Sequence, residues 1–171
     1  VSSQYWNPAK YPFCIGRAGV AVNYTPWLRQ LVNDINLAYV SGFYRLGDYQ
    51  ALSASLRYFS LGEVSTNLNE GDEVGMTISP YEMSVDVAYS RMLSETFSAA
   101  VALRFIYSDI TYDYSDETSP GKAFAADIAL YWNRYFTGRT REWNMGIGLN
   151  ISNIGSKISY GGDDNSEFIP T

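Results

Sequence analysis

From Trp143 to Ser152 the chain reads Trp-Asn-Met-Gly-Ile-Gly-Leu-Asn-Ile-Ser. Every odd position is large and apolar, and every even position is small or polar. A repeat of two sends successive side chains to opposite faces, so the segment predicts a strand with one apolar and one polar face. Six other segments alternate similarly. The first runs from Ala18 to Tyr24. In the second, Ile35, Leu37, Tyr39 and Phe43 share a face. In the third, Leu52, Ala54, Leu56 and Tyr58 oppose Ser53, Ser55 and Arg57. In the fourth, Met83, Val85, Val87 and Tyr89 oppose Ser84, Asp86 and Ser90. The fifth carries Phe97, Ala99, Val101, Leu103, Phe105 and Tyr107. In the sixth, Phe124, Ala126, Ile128, Leu130 and Trp132 oppose Asp127 and Asn133.

The connections alternate in length. Short turns are predicted near 46–49, 92–96 and 137–142, and long polar loops near 26–33, 61–80, 110–122 and 153–171. Outer-membrane barrels have short periplasmic turns and longer extracellular loops, which orients the chain. Aromatic residues gather at both strand ends. Phe43, Tyr44, Tyr49, Phe97, Trp132, Tyr135, Phe136 and Trp143 lie near the short turns, and Tyr24, Trp27, Tyr58, Phe59, Tyr81, Tyr107 and Tyr112 near the long loops. Two aromatic rims around an aliphatic band fit the outside of a membrane barrel. A soluble β-sandwich also alternates, but has no such pair of rims. Bacterial single-chain barrels use even strand numbers, and an open sheet edge in lipid is costly, so seven strands predict part of a larger barrel.

Composition narrows the function. The 171 residues suit one domain. With 12 Lys+Arg against 18 Asp+Glu, the chain is poorly suited to nucleic acid. No apolar run reaches the roughly 18 residues of a membrane helix, which leaves a barrel open. The chain has no His, so a Ser-His-Asp site is absent and zinc loses its commonest nitrogen ligand. No Gly-rich phosphate cradle follows a strand. Catalytic, cofactor and metal residues are therefore not expected. Cys14 is the lone cysteine, which rules out an internal disulfide. The start, Val1-Ser2-Ser3-Gln4, has neither the charged nor the apolar region of a signal peptide.

Four charged residues, Arg57, Asp86, Arg104 and Asp127, alternate in sign on the polar faces of successive strands. They predict a ladder of cross-strand pairs inside the barrel; scattered charge in a wet lumen is the plainer alternative. The acidic runs Glu70 to Glu73, Asp113 to Glu117 and Asp163 to Glu167 lack EF-hand spacing and read as solvated loop charge. Trp27 and Leu28, in the first long loop, read as membrane-rim anchors or a partner contact.

Trp6, Asn7, Pro8 and Ala9 lie in the stretch Tyr5-Trp6-Asn7-Pro8-Ala9-Lys10, which resembles the Asn-Pro-Ala segment near the N-terminal plug of FadL-like barrels. Tyr24 to Leu28, Asp34 to Tyr39, Ala51 to Glu63 (ALSASLRYFSLGE) and Gly148 to Tyr160 look like the PorV family of type IX secretion. The resemblance runs through essentially the whole chain, and ALSASLRYFSLGE is its most distinctive stretch. It implies an all-β, FadL-like transmembrane antiparallel barrel of about fourteen strands, of which this chain supplies the first half. Residues 1–16 would be a plug or a lead-in from the periplasm, 17–152 the seven strands, and 153–171 an extracellular loop. It also implies a non-enzymatic shuttle in the outer membrane of a Gram-negative bacterium. Such proteins bind the C-terminal signal domain of secreted cargo at a large translocon barrel and cover that barrel's lateral opening. They then carry the cargo to a surface attachment complex containing a sortase-like protease. The family's association with lipopolysaccharide deacylation finds no catalytic residues here. The rival reading is a FadL-type channel for hydrophobic small molecules, which the polar face of Ser53, Ser55, Arg57, Asp86, Arg104, Asp127, Asn144 and Asn150 disfavours.

Overall fold

The computed structural model describes residues 3–26, 35–62, 64–66, 76–109, 120–137, 142–156, 158–159 and 166–167. Seven long strands follow one another: β1 (Ala18–Pro26), β2 (Ile35–Arg45), β3 (Gln50–Leu61), β4 (Tyr81–Ser94), β5 (Phe97–Asp109), β6 (Gly121–Thr137) and β7 (Glu142–Gly155). Each pairs antiparallel with its neighbours in sequence, so the sheet is a simple meander. It curls as half of a barrel. No described helix is long and apolar enough to cross a membrane, which says nothing of crossing by strands.

The two faces have opposite chemistry, as the period of two requires. The convex face presents Val20, Val22, Val40, Leu52, Leu56, Val85, Val87, Val101, Leu103, Ile128, Met145, Ile147 and Leu149, all exposed. The concave face buries Ser41, Ser53, Ser55, Ser84, Asp86, Ser90, Ser98, Arg104, Asp127 and Asn133 among small alanines. A sheet in water is built the other way round, with its apolar side on the core.

Several expectations need correction. Phe43 and Phe59 are not part of an outer rim: Phe43 faces inward, opposite Ser53, and is buried, and Phe59 faces inward opposite Leu37. The face shared by Ile35, Leu37, Tyr39 and Phe43 is the concave one, because the register sets Leu37 against Phe59 and Tyr39 against Arg57. Within 61–80, a predicted loop, Val64–Thr66 pairs with Met76–Ile78. β7 runs past residue 152 to Gly155, and Ile158–Ser159 then pairs with Ser166–Glu167 and adds to the edge of β6 at Lys122. Most of the stretches 26–33 and 110–122, the three acidic runs apart from Ser166–Glu167, and Trp27 and Leu28 lie outside the described residues.

The N-terminal segment lies on the concave face. It consists of α1 (Ser3–Trp6) and a 3-10 helix (Pro8–Phe13) that meets β2 through β6. The sequence dictates this local form. Asn7 is extended and caps the 3-10 helix, its Oδ1 accepting the Ala9 N–H at 3.0 Å. Pro8 follows at the first helical position, where a missing N–H costs nothing.

Candidate functional site

The concave face and the segment upon it bring together most of the residues singled out in the sequence. Ala9 is completely buried against Ala100 and Ala129, with Tyr131 packed alongside. These methyl-sized neighbours let the 3-10 helix approach the sheet closely. Asn7 ties the segment to two strands at once. Its Nδ2 donates to Leu130 O on β6 at 2.9 Å and to Leu149 O on β7 at 3.4 Å. Gly148 makes room for that amide: a Cβ there would stand 2.7 Å from Asn7 Nδ2. Ser98 Oγ donates to Ala9 O from β5. Tyr11 stacks on Phe43 at 4.8 Å between ring centroids, which explains the inward turn of Phe43. Burial pushes the Tyr11 phenol well above its usual pKa, against a smaller opposing effect of its hydrogen bond to the Gln4 backbone. Arg45 holds the exit of the segment, with Nη1 on Cys14 O at 2.8 Å and Nη2 on Asp48 O at 3.1 Å. Trp6 is the exception among Trp6, Asn7, Pro8 and Ala9, for it is mostly exposed and stands edge-on to Tyr5.

Deeper on the face is a charge cluster. Arg104 Nε bonds Asp86 Oδ1, and its Nη2 reaches Asp127 Oδ2 at 3.0 Å. Two carboxylates share one guanidinium, and neutral donors supply the balance. Ser55 Oγ donates to Asp86 Oδ2 at 3.1 Å, and the Asn153 N–H donates to Asp127 Oδ1 at 2.7 Å. Asn153 also accepts from Arg104 Nη1 at 2.6 Å. Sequence reasoning passed over Asn153. It sits in a bulge where Ser152 and Asn153 together oppose Asp127, and its φ of 59° is one that Asn tolerates better than most residues.

Arg57 does not join this cluster. The register sets Arg57 against Ser84 and Asp86 against Ser55, and no ion pair joins Arg57 to Asp86 among the described residues. Arg57 Nε instead meets Ser84 Oγ at 3.3 Å, and its guanidinium lies 5.5 Å from the centre of the Tyr5 ring. Two cavities flank Tyr5 and Trp6. One, of about 390 Å³, is lined by Arg104, Asn150, Ser152 and Asn153; the other, of about 290 Å³, by Asn23, Leu37, Tyr39 and Arg57. Among the described residues no group of His, Cys, Asp and Glu is arranged to hold a metal ion.

A family model described as type IX secretion system protein PorV matches residues 1–171, the whole chain. The chain belongs to the PorV family. No curated protein matches it. Membership in the PorV family makes it a type IX secretion system protein, with partners inside that system. The apolar outside and polar inside are consistent with an outer-membrane protein. The chain has no His, so it offers no Ser-His-Asp triad.

Proposed function

We propose that this PorV-family chain forms part of a non-enzymatic outer-membrane barrel that binds the C-terminal signal domain of secreted cargo at the translocon. It then passes the cargo to the surface attachment complex. The observation that carries this reading is the reversed chemistry of the sheet, whose apolar face is the exposed one from Val20 on β1 to Leu149 on β7. Such a face belongs in lipid or against another membrane protein. The family match supplies the secretion role. In this reading the long-loop end faces outward and meets cargo, the apolar wall meets the translocon barrel, and the N-terminal segment is the plug. The concave face is too polar to favour a tunnel for apolar molecules, which weighs against the FadL-type channel.

Cross-linking in cells, followed by purification of the full-length protein from detergent-solubilised outer membranes, tests the proposal. Recovery of cargo bearing C-terminal signal domains together with a large translocon barrel is expected. Recovery of neither overturns it.

A further inference from the structure

The concave face carries two arginines whose surroundings differ. Arg104 bonds Asp86, Asp127 and Asn153 through each of its three nitrogens. Arg57, half-buried, has no carboxylate partner among the described residues. Among the described residues its one hydrogen bond runs from Nε to the Ser84 hydroxyl and its guanidinium lies 5.5 Å from the centre of the Tyr5 ring, which leaves the Nη1 and Nη2 pair without a hydrogen-bond partner there. The strand register sets Asn23 beside Tyr39, Tyr39 beside Arg57 and Arg57 beside Ser84, one row across four strands. The cavity of about 290 Å³ opens over this row. The Tyr39 hydroxyl is buried without a hydrogen-bond partner. The aromatic side chains of Tyr5 and Trp6 and the side chain of Leu37 line the same space.

A guanidinium with two parallel donors free, an unpartnered hydroxyl and an aromatic wall define a recognisable chemistry. The planar fork of arginine matches a carboxylate two bonds at a time. Among the described residues the lining holds no second cation, as a phosphate dianion would favour, and Leu37, Tyr5 and Trp6 offer apolar surface to whatever carries the charge. The volume is at the small end of ligand pockets, which run from about 300 to 1,000 Å³. We propose that this cavity binds an organic carboxylate. Nη1 and Nη2 of Arg57 grip the carboxylate, the Tyr39 hydroxyl donates to it, and Tyr5 and Trp6 pack on its apolar body. The site has no need of the translocon, so it stands or falls apart from the shuttle role.

A free small acid and the C-terminal carboxylate of a polypeptide share this chemistry. Calorimetric titration of the full-length protein in detergent, with 4-phenylbutyrate and with N-acetyl-Ala-Phe, separates them. The neutral amides of both compounds serve as controls. Binding by at least one carboxylate is expected, with its amide weaker by about tenfold or more. Arg57→Gln abolishes that preference for the carboxylate, and Tyr39→Phe weakens binding by a few-fold. Gel mobility with and without heating verifies that each variant still forms a folded barrel, and Arg57→Lys, which keeps the charge, retains part of the affinity. Binding of phenylbutyrate alone identifies a free acid, and binding of the peptide alone a chain terminus. The proposal is overturned if neither carboxylate binds, if the amides bind equally well, or if folded Arg57→Gln binds like the parent.

Discussion

Arg104 is the residue on which the concave face most depends. Replacing it with Met leaves Asp86 and Asp127 buried without a counter-charge, which costs about 3–5 kcal/mol for a buried pair broken from one side. Urea titration of the folded fraction should show a marked fall in the midpoint. Asn153 offers a finer test. Asn153→Val forces a β-branched side chain into a left-handed backbone, at about 1–2 kcal/mol, and also removes the contact to Arg104. Asn153→Gly keeps the backbone relaxed and loses only the side chain, so it should fall between the parent and Val in the same titration. At this scale the sequence was readable in kind and in part of the pairing: Arg104 meets Asp86 and Asp127, while Arg57 meets Ser84. Alternation put Arg57, Asp86, Arg104 and Asp127 on one side. Which of them meet depends on register, and a shift of two residues along a strand keeps every side chain on its face while changing every partner.

The N-terminal segment is tied to the sheet by side chains and, among the described residues, by no strand pairing. Asn7→Ala removes the helix cap and both bonds to the sheet, while the strands keep their own hydrogen bonds. The expected outcome is a local loosening worth about 1–2 kcal/mol, seen as faster amide exchange at Ala9 and Tyr11 with strand exchange unchanged. Gly148→Leu should act alike from the opposite side, since its side chain takes the space of the Asn7 amide. The strands themselves were legible because polar and apolar residues alternate over their full length. The orientation of β2 was less so. Tyr39 and Phe43 look like lipid-facing residues, and periodicity alone does not say which side of a sheet is wet. Phe43 turns inward onto an apolar partner that the chain itself supplies, Tyr11, and Tyr39 shares its face through the period of two. The bulge at Ser152-Asn153 left no mark in the sequence either, since both residues suit the end of a strand as well as a loop.

On the scale of the whole molecule, the prediction concerns the convex wall. Leu103 is 65% exposed near the middle of β5. Leu103→Arg should cost about 2–4 kcal/mol if that point lies at mid-bilayer, measured as the folded fraction recovered in phosphatidylcholine vesicles. A wall that met water would lose nothing by the change. The tie made by Asn7 has a further consequence, for the order of assembly. Its two acceptors lie on β6 and β7, 123 and 142 residues further along the chain. Until that distant hairpin has paired, the amide has nowhere to bind, so the residues at the beginning of this sequence are among the last to find their place.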